Sequence, residues 1–143
     1  MTDAPATLTL HASTIAWDGR ALLIEGPSGA GKSGLALALM AHGAQLVADD
    51  RTILTRDGDA LIAQAPDTIR GRIEARGMGI LKADPAGPTP VAAIVTMSDV
   101  ETDRLPPRRS RNLLGIPLPL LHYVESPYFA ASLLQYMKGG RDA

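Results

Sequence analysis

Gly26-Pro27-Ser28-Gly29-Ala30-Gly31-Lys32-Ser33 fits the spacing G-x-x-x-x-G-K-[ST], which wraps the phosphates of ATP or GTP. Glycines let successive backbone N–H groups turn inward and form an anion-binding nest. Lys32 can then reach the β- and γ-phosphates, and the Ser33 hydroxyl can ligate Mg²⁺. Two carboxylates, Asp49 and Asp50, follow 17 and 18 residues after Lys32, at the end of an apolar run. An acid at such a strand end can hold Mg²⁺ directly or through water. Adjacent residues on an extended segment point to opposite faces, so one acid can face the metal while its neighbour faces an acceptor hydroxyl.

These residues need a scaffold, and the surrounding pattern supplies one. Arg20 to Glu25 reads as a buried strand entering the loop, and Ser33 to His42 as the helix leaving it, with Gly43 closing its end. Thr7 to Trp17 alternates like one strand and turns at Asp18-Gly19. Ala44 to Asp50 reads as a strand ending in the two acids, and Thr52 to Gln64 as a hairpin turning at Asp57-Gly58. Residues 73 to 81 carry too many arginines and glycines for a plain strand, whereas Val91 to Met97 is a buried one. Asp99 to Asn112 reads as a charged, Pro-rich loop, and Leu113 to Val124, with Pro117 and Pro119, as an edge strand. Pro127 opens a closing helix that reaches about Lys138. The fold class expected is α/β, a strand-rich mixed sheet with a phosphate-loop helix and a C-terminal helix.

Composition narrows the classes. At 143 residues the chain suits one domain, spanning residues 1–143. It has no cysteine, which excludes a disulfide framework and thiolate metal sites and suits a reducing cytoplasm. Asp3 and Pro5 interrupt the N-terminus, so no signal peptide is expected, and no apolar run is long enough to span a bilayer. A net charge of −1 and 3% aromatic residues leave neither a basic footprint nor stacking platforms for nucleic acid. His42 and His122 need no catalytic role, and Arg108, Arg109 and Arg111 form a basic cluster that is either a solvated loop or a docking patch.

His11, then GPSGAGKS, then LVADD, then IEARGMGI, then DRL together resemble the C-terminal catalytic domain of the HPr kinase/phosphorylase family, from about residue 7 to 105. The resemblance implies a phosphate-loop kinase core similar to that of phosphoenolpyruvate carboxykinase. It implies ATP and Mg²⁺ as cofactors, a serine of the phosphocarrier protein HPr as acceptor, a cytoplasmic setting without membrane or nucleic-acid partners, and a homo-oligomer, often a hexamer. Carried over by position, Lys32 and Ser33 keep the roles given above. Asp50 takes the serine proton, with Asp49 beside it as the alternative. His11 sits near that carboxylate, and Glu74 is a second Mg²⁺ ligand in a loop shaped by Arg76, Gly77 and Gly79. Arg104 meets the transferring phosphate.

Two departures qualify the resemblance. The family's usual N-terminal domain is expected to be missing, as in short single-domain members. The tail segment Tyr123 to Ala130 lacks the Gly-Arg-Asn run that the family associates with dephosphorylation, so forward transfer is expected and reversal is doubtful. A small-molecule kinase with an arginine-bearing lid, and a nucleotide sensor without transfer, remain as alternatives. An acceptor base together with a metal acid argues against the sensor.

Overall fold

The computed structural model describes residues 6–143; Asp3 and Pro5, which interrupt the N-terminal sequence, lie outside them. The described residues form eleven strands and two α-helices, so the expected strand-rich mixed α/β class is the observed one.

β1 (Thr7–Leu10) and β2 (Ala12–Trp17) replace the single strand expected over residues 7–17. The break at His11 follows from a change of partners: β1 pairs with β5 (Thr52–Asp57), whereas β2 lies between β3 (Arg20–Glu25) and β4 (Gln45–Ala48). The Asp18-Gly19 turn is as expected, with both residues at positive φ (49° and 73°). β3 buries Ala21, Leu22, Leu23 and Ile24 completely, because both faces of the sheet are covered there. It runs parallel to β9 (Thr89–Val100) and feeds the phosphate loop, from which α1 (Lys32–Ala41) departs.

β4 is shorter than expected: Asp49 and Asp50 leave its end in a bend, and Asp50 adopts the left-handed region (φ 66°). β5 and β6 (Ala60–Gln64) form the expected hairpin, with Gly58-Asp59 as its two-residue turn, one position later than the pattern implied. Residues 73 to 81, read as too irregular for a strand, lie in a small hairpin of β7 (Arg72–Ala75) and β8 (Gly79–Lys82). Its irregular letters are the turn and its exit, where Gly77 and Gly79, the first residue of β8, take positive φ, while Ile73 and Ala75 supply the buried alternation.

The expected loop over residues 99–112 is shorter. β9 runs to Val100, and Arg109–Leu113 is a strand, β10. β10, rather than β11 (Ile116–Tyr123), is the outer strand, since β11 also pairs in parallel with β9. Pro117 and Pro119 are tolerated because they precede Leu120, where the pairing with β9 begins, so one side of the strand needs no N–H there. α2 (Phe129–Gly139) starts two residues after Pro127. The main sheet has the order β1-β5-β6-β9-β3-β2-β4, with β11 and β10 added beside the second half of β9. One face, with Ile15, Leu22, Ile24 and Val95, packs on Leu39 of α1 and Leu133, Leu134 and Met137 of α2. The other, with Leu23, Val47 and Ile94, packs on Leu54, Leu61 and Leu118. The pairing of β3 with β9 ends at Glu25 opposite Thr96, where the phosphate loop begins.

Candidate active site

The phosphate loop is shaped by backbone angles that side chains resist. Gly26, Gly29 and Gly31 all have positive φ (155°, 84° and 97°). At Gly26 a Cβ would lie 2.9 Å from the Cβ of Met97, so this β9 residue is the floor of the loop. Gly31 caps α1 in a left-handed conformation with no side-chain cap, and no acid occupies the helix's first turn. Its N–H groups and partial positive charge are thereby left to an anionic ligand.

Lys32 is buried to 5% exposure, yet its ammonium stays satisfied by bonds to the carbonyls of Gly26 (2.8 Å) and Pro27 (3.1 Å). It also lies 3.8 Å from Asp50 Oδ1. A cation held this way over the loop is poised to exchange carbonyl oxygens for phosphate oxygens.

The two aspartates have different surroundings. Asp49 Oδ1 accepts bonds from the hydroxyls of Ser33 (2.6 Å) and Ser13 (2.9 Å), and its Oδ2 accepts the Glu74 N–H (3.0 Å). Asp49 thus faces the phosphate-loop serine. The side chain of Asp50 is 56% exposed and meets His11 Nε2 at 2.6 Å. Its left-handed backbone, an uncommon conformation for aspartate, turns it away from Asp49, so the bend does what an extended segment was expected to do.

Ser13 is the residue that sequence reasoning missed. Besides bonding Asp49 it accepts the Asp50 N–H at 3.1 Å, so one hydroxyl ties both acids to β2. Its only sequence signal is a small polar residue inside a buried strand, opposite the end of β4.

Lys32, Ser33, Asp49, Asp50, Glu74 and Arg76 line one cleft of about 420 Å³. His11 joins them through Asp50. Arg104 is not brought into this lining; it lies exposed in the segment between β9 and β10. Two members of the basic cluster are taken up in ion pairs, Arg109 with Glu101 and Arg111 with Glu25. The Arg109 guanidinium holds the Glu101 carboxyl below the usual carboxylate range.

The oxygen donors around Ser33, Asp49 and Glu74 suit a hard cation. Among the described residues no cluster of three or more His, Asp and Glu side chains could cage a metal alone. Such a sparse donor set fits Mg²⁺, which keeps water and phosphate oxygens in its shell, better than it fits a metal needing a full protein cage. No described helix is long and apolar enough to cross a membrane.

The family model for the HPr serine kinase C-terminal domain matches residues 4–86, which include the loop, both aspartates and Glu74. The chain belongs to the HPr serine kinase C-terminal domain family. The HPr kinase/phosphorylase of Bacillus velezensis is 44% identical over 79 residues, covering 54% of this chain and 25% of that protein. The HPr kinase/phosphorylase of Lactobacillus delbrueckii subsp. bulgaricus is 39% identical over 74 residues, covering 51% and 23%. The matched stretch therefore spans about a quarter of the length of these relatives. The solved Hpr(Ser) kinase/phosphatase of Coxiella burnetii superposes with a TM-score of 0.78 at 26% identity, covering 92% of this chain and 96% of that one. At that coverage the likeness in fold extends beyond residues 4–86, the stretch matched by the family model.

Proposed function

We propose that this chain is an ATP- and Mg²⁺-dependent protein serine kinase whose acceptor is the phosphocarrier HPr. The observation that carries the reading is the division of labour between adjacent acids: Asp49 bonded to Ser33 on the phosphate-loop side, Asp50 bonded to His11 and open to solvent. The residues fit Mg²⁺ at Ser33, Asp49 and Glu74, where the ion would neutralise charge on the β- and γ-phosphates.

The loop's N–H groups and Lys32 hold those phosphates. The carboxylate of Asp50 accepts the proton of the serine hydroxyl as its oxygen bonds to the γ-phosphorus, and the bond to the β–γ bridging oxygen breaks to release ADP. His11 orients that carboxylate through the 2.6 Å contact. A base so exposed suits a hydroxyl presented on a protein surface, and the exposed Met78 and Ile80 beside Arg76 give such an acceptor apolar surface to rest on. That favours a protein acceptor over a small molecule enclosed by a lid. Likeness to the core of phosphoenolpyruvate carboxykinase and assembly into a homo-oligomer belong to the same proposal.

Without a Gly-Arg-Asn segment in Tyr123 to Ala130, fixed positive charge for a second phosphate is sparse, so dephosphorylation by inorganic phosphate should be slow. Incubation with γ-labelled ATP, Mg²⁺ and HPr should place label on a serine of HPr. Hydrolysis without labelled HPr, or transfer only to small hydroxyl compounds, would overturn the reading.

A further inference from the structure

A second cavity, of about 480 Å³, lies between β11 and α2 and shares no lining residue with the nucleotide cleft. Its walls are apolar: Leu118 and Leu121 from β11, and Phe129, Leu133 and Tyr136, which recur at helical spacing along one face of α2. Pro106 and Pro107 close a further side, and their fixed φ makes that wall largely preformed. The volume falls within the ~300–1,000 Å³ of small-molecule sites.

The rim is cationic. Three guanidinium groups, from Arg108, Arg109 and Arg141, stand against the single carboxylate of Glu101. Arg109 takes that carboxylate and Arg141 bonds the Pro106 carbonyl, whereas Arg108 has no acidic partner among the described residues. The start of α2 opens onto the same space and carries no acid in its first turn, which adds partial positive charge.

We propose that this cavity binds a small organic anion with an apolar, ring-sized body and one carboxylate-, sulfonate- or phosphate-type group. The body lies between β11 and α2, and the anionic group meets Arg108. Neither Lys32 nor either cleft aspartate takes part, so the proposal stands apart from the kinase reading.

Two probes that differ only in charge test it on the full chain: 1-anilinonaphthalene-8-sulfonate, and N-phenyl-1-naphthylamine, which is the same body without the sulfonate. The sulfonate probe should bind saturably at one site, about tenfold more tightly than the neutral one, as a charge-assisted contact implies. Arg108→Ala should erase that difference, and Arg108→Glu should weaken the sulfonate probe further while sparing the neutral one; both change an exposed loop residue. Ser132→Trp, from an exposed position on α2 that lines the cavity, should fill it and abolish both signals without lowering the unfolding midpoint. Equal affinity for the two probes, an Arg108 variant with unchanged preference, or probe binding lost as the protein self-associates over this face would overturn it.

Discussion

The cleft and the cavity divide the chain. The cleft draws its lining from residues between Ser28 and Arg76, the cavity from residues between Glu101 and Arg141. The family model covers the first region and stops at residue 86, whereas the structural likeness to the Coxiella burnetii protein covers 92% of the chain. The physical reason lies in what each region asks of its residues. In the proposed function Lys32, Ser33 and Asp49 make phosphate and metal contacts, which need particular atoms at particular spacings and would not tolerate neighbours of similar volume. A wall of leucines and prolines needs volume and apolarity, which many sequences supply equally well.

That contrast can be broken experimentally, starting with the largest effect. Lys32→Ala should reduce phosphoryl transfer by about 10³-fold or more, because a buried cation is lost where charge develops. The unfolding midpoint should change far less than the rate, and near-normal transfer by the variant would remove the loop from the mechanism.

Met137→Ala should do the reverse. Met137 is 1% exposed beneath the sheet, and truncation should cost roughly 2–5 kcal/mol of stability. Denaturant unfolding measures that cost, and the rate per folded molecule should be retained. A rate that falls with stability intact would mean that α2 takes part in the chemistry.

Ser13→Ala should cost on the order of tenfold in transfer, since both aspartates lose one hydrogen bond to its hydroxyl. Transfer assayed across a Mg²⁺ titration checks this, and a variant with an unchanged Mg²⁺ requirement would reduce Ser13 to a packing residue.

The smallest effect expected is Arg109→Ala. A carboxyl held below its ordinary range stabilises the fold above the unfolded-state pKa and loses that contribution as pH falls through its folded-state value. Wild type should therefore be the more stable protein at neutral pH, with the gap to Arg109→Ala closing in acid. Thermal midpoints measured across pH check the sign.

Much of this layout was legible before the structure. The phosphate loop, the strand and helix flanking it, the Asp18-Gly19 turn and the position of the aspartates follow from glycine spacing and apolar runs. The break at His11 was not legible, because β1 and β2 share one alternating pattern and differ only in which strands lie beside them. The β7–β8 hairpin escaped for a different reason: four-residue strands around a glycine turn are too short for a period to show. Ser13 acts through tertiary placement opposite Asp49, and no spacing along the chain announces it. Arg104 matched a family letter, yet its loop leaves it outside the cleft lining, since local letters do not fix where a loop travels.

The division of labour between the two aspartates is tested most directly by single-turnover transfer from ATP to HPr across a Mg²⁺ titration, comparing Asp49→Asn with Asp50→Asn. Asp50→Asn should bind ATP and Mg²⁺ nearly as wild type does and transfer about 10²- to 10⁴-fold more slowly at saturating Mg²⁺, as loss of a general base implies. Asp49→Asn should shift the Mg²⁺ requirement upward, because its carboxylate is the one bonded to Ser33. Normal transfer by Asp50→Asn at saturating Mg²⁺, together with a slow, Mg²⁺-insensitive Asp49→Asn protein, would contradict the account.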